Sequence, residues 1–516
     1  MEKLNNETIR RNDAINKQDK KNKKNKKNKR SSRGLVIAGV VIGVLQLIIS
    51  IVFMFMVHML GMVPATYEIL VGILLLLFVA LTLITQRWKI VGILTKIAAV
   101  LLSIILAIGC MFLGVTHKAI SKMSGENTVT STLCIYVMAD SGYSDIKSLE
   151  GASCGKTTLL DKEHTQSFID TISKKENVNL QYKDYFGITQ LVDALYTGEV
   201  KAIIFNNSYL GILEEMDNYK DFATKTKCIY TEDYVTEVET DAKDDKKEDA
   251  AKSNNVMAVY ISGIDTRTGS VTSNSNSDVN ILCLINTKTH QLLMINTPRD
   301  FYVPLSISNG VKDKLTHAGC YGIKCSVDTL EMLYDIDIDY YIKVNFTSFV
   351  TIIDMLGGVN VYSEYAFSTT SYGNYTYTKG YNYMNGDQAL AFARERHAFG
   401  SGDRQRGKNQ MAVIKAVVEK ATSSAMLANY ANILESVSSS VATDMPYSEI
   451  SKFVQQQLKD MAPWDIQQYS VDGTGDNLMT FSLSSPNYVM VPNEATVAQA
   501  KAYIKQIYND EVVKVK

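Results

Sequence analysis

Histidine, cysteine and net charge are all scarce in this chain, and each scarcity removes a class of function. The six histidines among 516 residues are scattered, with no Cys/His spacing of the kind that cages zinc. Nothing in the placing of the seven cysteines supports a Cys/His nucleophile, and their spacing fixes no disulfide connectivity. Cys320 and Cys325 are close enough for a small loop disulfide, and Cys134 and Cys228, each preceding Ile-Tyr in an apolar run, would bridge two strands of one domain. A phosphate loop is also missing. Gly151 to Thr157 falls one residue short of Gly-x4-Gly-Lys-Thr, which removes the nucleotide-binding reading. No small-residue cleavage site follows the first apolar run, which is too long for an ordinary signal peptide.

The formal net charge of −1 conceals strong segregation. Residues 1–33 carry thirteen Lys/Arg against four Asp/Glu, a composition that cannot bury a core. An uncharged apolar stretch follows directly, so this tail reads as a cytoplasmic topology anchor touching anionic membrane lipid, and not as a nucleic-acid-binding arm. Three stretches, 34–57, 63–85 and 90–115, are each long enough to cross a bilayer as a helix. Arg87 and Lys89 lie between the second and third, whereas the loop after the first holds only His58. The positive-inside rule then puts the N-terminus in the cytoplasm and everything after about residue 120 outside the cell. Glu68 and Lys96 lie near span ends and are expected to snorkel. Outside, residues 125–235 alternate strand, helix and strand, as in a small α/β accessory domain with some similarity to one lobe of solute-binding proteins. Residues 236–254 are a charged linker without apolar periodicity. Residues 255–516 form the candidate catalytic domain, predicted to be an α-β-α sandwich with a mixed sheet.

Two clusters carry chemistry. Asp403, Arg406 and Gln410 stand at i, i+3 and i+7, on one face of a helix. Arg394 and Arg396 share a face only where the chain is extended. Together they would form a compact positive site. Planar guanidiniums bind phosphate oxygens bidentately, so phosphate or pyrophosphate is the natural ligand, the alternative being a solvated basic surface. Upstream, a hairpin running from Val279 to Ile295 ends in Thr297-Pro298-Arg299-Asp300, where Pro298 stops ladder pairing and leaves Arg299 at the sheet exit. Asp265 and Asp278 stand at the edges of two strands. They would hold one magnesium ion, which takes one or two carboxylates plus substrate phosphates; the alternative is that each caps a turn. The seven tyrosines between Tyr362 and Tyr383 fit a β-hairpin with aromatic cross-strand pairs better than a sugar-stacking surface. Phe349, Ile352, Ile353 and Leu356 make an apolar helical stripe, either core or the lining of a lipid-chain pocket.

Gly263-Ile264-Asp265-Thr266-Arg267, Ser277-Asp278, Thr297-Pro298-Arg299-Asp300, Lys314-Leu315-Thr316-His317-Ala318, Leu356-Gly357-Gly358-Val359, Ala391-Phe392-Ala393-Arg394-Glu395-Arg396 and the block Asp403–Gln410 occur in this order. The set resembles the LytR-CpsA-Psr family, and its Gly-Asp-x-x-Arg-Gly-x-Asn-Gln form is most similar to the capsule-associated CpsA branch. The resemblance implies a Gram-positive cell-envelope transferase. It would move a glycopolymer from a polyprenyl-pyrophosphate carrier to peptidoglycan and leave polyprenyl phosphate, with prenyl tails threading between sheet and helices and with capsule-assembly proteins as partners. Arg267, Arg299, Lys314, Arg394, Arg396, Arg406 and Gln410 would clamp the pyrophosphate, and Asp265 and Asp278 would position Mg2+. Asp403, Arg299 and Arg406 are the catalytic candidates, with Asp403 either the base or the residue that orients Arg406. Two departures stand out: Asn276 and Asn409 occupy positions where many relatives carry Arg. A hydrolase using the same clamp and a non-catalytic envelope sensor are the rival functions.

Overall fold

The computed structural model describes residues 33–61, 63–123, 128–158, 160–237, 255–264, 271, 274–370, 372–423, 441–483 and 486–515. Most of the basic tail, most of the charged linker, Asp265 and Arg267 therefore lie outside the described residues. The chain divides into two compact units.

The first unit contains three helices, α1 (Arg33–Leu60), α2 (Ala65–Thr85) and α3 (Lys89–Met123), each with a segment long and apolar enough to cross a membrane. Their large apolar side chains, Phe55, Leu77 and Ile105 among them, point outward, as lipid-facing residues do. Small and polar residues turn inward. Gly109 lies against the Phe53 ring, and Thr85 and Thr95 share a hydrogen bond of 2.8 Å. Lys96 is buried against the neighbouring helices, and its Nζ reaches back toward the near end of its helix to donate to the Gly92 carbonyl at 3.2 Å. The helix Tyr447–Asp460 belongs to this unit although it is distant in sequence. Ser451 Oγ donates to the Leu60 carbonyl at 3.3 Å, and Gln455 Nε2 donates to that of Gly61, satisfying acceptors left open at the end of α1.

The second unit holds two large sheets, of five and six strands, and several two-stranded ribbons. Strands β1 (Thr128–Met138), β2 (Ser153–Thr157), β3 (Gln181–Tyr185), β4 (Ala202–Asn206) and β5 (Thr226–Glu237) order as β3-β2-β4-β1-β5. Two clusters build the core around this sheet. One centres on Phe168 of α4 (Lys162–Thr171), the other on Ile188, Leu191 and Leu195 of α5 (Ile188–Tyr196). A short helix α6 (Leu210–Glu214) follows β4. The cysteines are free, contrary to both expected bridges. In the β1/β5 register Cys134 faces Thr231 and Cys228 faces Tyr136, and the Cys134 thiol donates to Thr231 Oγ1 at 3.5 Å. Cys320 and Cys325 enter different apolar clusters on either side of the Gly322 break, where φ is +112°.

The larger sheet contains β6 (Val256–Ile264), β7 (Ser277–Asn286), β8 (Gln291–Asn296), β9 (Tyr340–Asn345), β10 (Val441–Thr443) and β11 (Asp465–Ser470), in the order β10-β9-β6-β7-β8-β11. It is mixed: β9 runs parallel to β6 and β11 to β8, while the other pairs are antiparallel. Period-2 alternation sends Ala258, Tyr260, Leu282, Leu284, Leu293 and Ile295 to one face. There they pack with Leu330 and Tyr334 of α7 (Ile323–Tyr334) and with Ile504 and Ile507 of α11 (Glu494–Tyr508). A further core joins α8 (Phe346–Met355), α9 (Gly386–Arg394) and α10 (Asp403–Ala421). The Phe349–Leu356 stripe belongs to that core. The tyrosine-rich stretch forms two small antiparallel ribbons, in which Tyr362 faces Tyr381 edge-on at 5.4 Å and Tyr377 packs on Phe367 and Phe392.

Helix α10 approaches β8 at Gly407, where a Cβ would collide with the buried Asn296 side chain, itself bonded to Ser470 Oγ at 2.9 Å. Gly407→Ala is expected to lower stability by about 1–3 kcal/mol through overpacking, read as a lower melting temperature of the detergent-purified protein. An unchanged melting curve would mean that α10 has room to shift.

Candidate active site

The end of the larger sheet sets the first part of the site. The antiparallel register places Ile281 opposite Asn296. Asp278, three residues before the one, thus meets Arg299, three residues after the other, and Arg299 Nη1 donates to Asp278 Oδ1 at 2.6 Å. Strand pairing ends here because Pro298 has no N–H to give. The Arg299 carbonyl instead accepts from Thr316 N at 2.8 Å, which ties this turn to the Lys314–His317 segment.

Helix α9 supplies the second part. It opens on a capping box formed by Asn385 and Gln388 and closes at Arg394; Glu395 is already extended at φ −66° and ψ 128°. Glu395 is buried. Its carboxylate accepts from Thr370 N at 2.6 Å, Ala398 N at 3.0 Å and Thr370 Oγ1 at 3.1 Å. This anchorage turns the chain so that the arginines on either side both border one cavity. The Arg394 guanidinium stacks 4.3 Å from the Phe346 ring centre and 5.4 Å from that of Tyr372. Helix α10 supplies the third part. Arg406 pairs with Asp403 at 3.1 Å, one turn apart, and Gln410 lies one turn further on.

Asp278, Arg299, Arg394, Arg396, Arg406 and Gln410 line one cavity of about 240 Å3, together with Phe346 and Tyr372. Arg299 and Arg396 also border a wider cleft of about 880 Å3, which contains Lys314, Asp300, Asp403 and Glu215. Lys314 therefore lines the wider cleft with Arg299 and Arg396, and not the smaller cavity that holds Arg394 and Arg406. Burial lowers the pKa of Arg299, with Asp300 acting against the shift and Arg406 reinforcing it. Burial likewise lowers that of Lys314, opposed by Asp300. The arrangement presents several hydrogen-bond donors and positive charge to a small enclosed space, a receptor for an anion with several oxygens.

Two neighbouring residues serve the framework. Arg404 turns away, giving Nη2 to the Gly473 carbonyl at 2.6 Å, and Asn409 is buried with Nδ2 on the Phe392 carbonyl at 3.3 Å. Four contributors escaped the sequence reading. Phe346 and Tyr372 back Arg394, and the position of Glu395 between two arginines was its only signal. Glu215 comes from the accessory domain: it accepts from Lys314 Nζ at 2.9 Å and Asn276 Nδ2 at 3.2 Å and pairs with Arg299. No local pattern marks it.

The family model described as the LytR_cpsA_psr family matches residues 224–501. A second model, DNA polymerase processivity factor, matches residues 90–205, a stretch that begins inside α3 and ends within β4. The chain is 32% identical over 233 residues to the polyisoprenyl-teichoic acid–peptidoglycan teichoic acid transferase TagU of Bacillus subtilis, covering 45% of this chain and 73% of that one. TagU of Enterococcus faecalis is 30% identical over 220 residues, covering 42% and 71%. Among solved structures, B. subtilis TagV superimposes with a TM-score of 0.42 at 25% identity, over 51% of this chain and 100% of that one.

Glu395 yields a pH prediction. Burial would raise its pKa, but the Thr370 and Ala398 hydrogen bonds outweigh burial and hold it below the ordinary value. Its stabilising effect is thus present above the unfolded-state pKa and lost as pH falls through the folded one. Glu395→Gln is expected to cost about 1–3 kcal/mol at neutral pH. The gap to wild type should close below about pH 4 in denaturant melts. A gap independent of pH would show that the charge of Glu395 is immaterial.

Proposed function

The chain belongs to the LytR_cpsA_psr family, and from that premise we propose that it transfers a glycopolymer from a polyprenyl-pyrophosphate carrier onto peptidoglycan as a phosphodiester. One observation carries this reading: four guanidiniums from three separate elements, Arg299, Arg394, Arg396 and Arg406, line a single cavity with Gln410 and Asp278. The names of the TagU relatives supply the reaction class. The three apolar helices support a multi-pass membrane anchor, which would keep the site near a lipid-borne donor; the charge pattern supports a cytoplasmic N-terminus and extracellular domains.

In this mechanism the arginines and Gln410 bind the oxygens of the donor diphosphate, with Arg267 and Lys314 extending the clamp. A peptidoglycan hydroxyl enters through the wider cleft and attacks the phosphorus bonded to the glycan. Its proton passes to a carboxylate, for which Asp403 at the cleft wall is the candidate, and the bond to the bridging oxygen breaks to release polyprenyl phosphate. Charge-assisted hydrogen bonds of about 1.5–3 kcal/mol each hold the head group in line, so most of the acceleration is positioning and electrostatics. Among the described residues no three His, Cys, Asp or Glu side chains gather as a ready metal cage. The donor chemistry still fits magnesium, which takes few protein carboxylates and completes its shell with phosphate oxygens. Asp278 would hold it with Asp265, which follows Ile264, the residue paired with Ser277. When bound, such an ion supplies positive charge against the leaving phosphate. A capsular polymer is the donor suggested by the CpsA-like motif, with capsule-assembly proteins as partners.

The test combines the detergent-purified protein, a polyprenyl-pyrophosphoryl oligosaccharide, Mg2+ and peptidoglycan fragments, with products read by mass spectrometry. The expected result is a phosphodiester-linked glycan plus polyprenyl monophosphate, with kcat/KM lower by about ten- to a hundredfold in Arg394→Ala. Asp278→Ala should abolish transfer and leave membrane insertion unchanged. Free phosphoglycan alone would point to hydrolysis. Tight lipid binding with no product would favour a sensor.

A further inference from the structure

Glu215, a carboxylate of the accessory domain, pairs with Arg299 and Lys314 of the catalytic domain in the candidate site. It caps the C-terminus of α6, and its backbone position is firmly set. The adjacent Ile212 and Leu213 are fully buried in a cluster shared with Cys320 and Leu483, and the Tyr209 ring packs at a tilt against Tyr321, 5.6 Å between centres. Gly211 lies against the Asn276 side chain, so closely that a Cβ there would press on its amide. The accessory domain is therefore docked on the catalytic domain by an apolar core, and Glu215 is presented to Arg299 and Lys314 by construction.

The side chain differs from its backbone. It is about one quarter exposed and borders the 880 Å3 cleft, so rotation about its own bonds would carry the carboxylate off the cations without moving the domain. Neither cation depends on it alone, since Asp278 also pairs with Arg299, and Asp300 lies 3.5 Å from Lys314 Nζ. The spot it fills has polar capacity to spare. His317 is fully buried, with Nδ1 held by Asp313 at 2.7 Å, while Nε2 has no hydrogen-bond partner among the described residues and lies 4.0 Å from Glu215 Oε2. Arg299, Lys314, Asn276 and His317 thus converge on one small anionic group.

We propose that Glu215 is an exchangeable anion: it occupies one phosphate position of the donor site, and the arriving diphosphate displaces it from Arg299 and Lys314. A carboxylate and a phosphate offer the same charged oxygens to these donors, so the two compete for them. The accessory domain thereby sets the affinity of the site. This rests on the diphosphate reading above.

Isothermal titration of the full-length chain in detergent micelles with inorganic pyrophosphate tests the exchange. Glu215→Gln should bind about tenfold more tightly than wild type, the factor that 1.4 kcal/mol of lost competition gives. Glu215→Asp, whose shorter stem reaches the cations less well, should fall between, and it stands in if the Gln variant does not fold. Asp217→Asn, which removes a charge from a nearby exposed pair with Lys220, should bind as wild type does. Equal or weaker binding in the Glu215 variants overturns the exchange, as does equal tightening in Asp217→Asn, which would reduce the effect to net charge. Arg394→Ala separates the two levels. If it weakens binding while the Glu215 variants do not tighten it, the exchange falls and the donor site stands; if it has no effect, both fall.

Discussion

Repulsion between like charges is the constraint on which the site depends. Arg299, Arg394, Arg396 and Arg406 line one small cavity, and at an effective dielectric near 20 two unit charges 4 Å apart repel by about 4 kcal/mol. Each surrounding feature offsets that cost. Asp278 and Glu215 pair with Arg299, Asp403 pairs with Arg406, and the Phe346 and Tyr372 rings back Arg394. Glu395 spends its hydrogen bonds on Thr370 and Ala398 and so fixes the backbone from which two of the arginines extend. An anion bound among these groups would complete the compensation, as the proposed donor diphosphate would.

Much of this was readable from local patterns. The helix carrying Asp403, Arg406 and Gln410 follows from their i, i+3, i+7 spacing, and the extended link between Arg394 and Arg396 is where α9 gives way to Glu395. The hairpin register that brings Asp278 to Arg299 is implied by two apolar strands and a short turn. Tyr362 and Tyr381 pair across strands as a half-exposed ribbon requires. These features share one property: their physics acts within about twenty residues.

What was not readable depends on long-range packing. Glu215 reaches Lys314 across 99 positions, guided by packing that includes the apolar cluster of Tyr209 and Leu213 with Tyr321 and Leu483. The helix Tyr447–Asp460 joins the membrane helices through Ser451 and Leu60, 391 positions apart, with no signal in its own composition. The free cysteines show the same limit. Cys320 and Cys325 are neighbours in sequence, yet the Gly322 turn sends them into separate clusters.

The most direct measurement is a cryo-EM structure of the full chain bound to a non-hydrolysable polyprenyl-pyrophosphate analogue. The expected result is both phosphorus atoms within hydrogen-bonding reach of Arg299, Arg394, Arg396, Arg406 and Gln410, with the glycan end facing the wider cleft. A head group bound anywhere else, with the four arginines unengaged, would contradict the account.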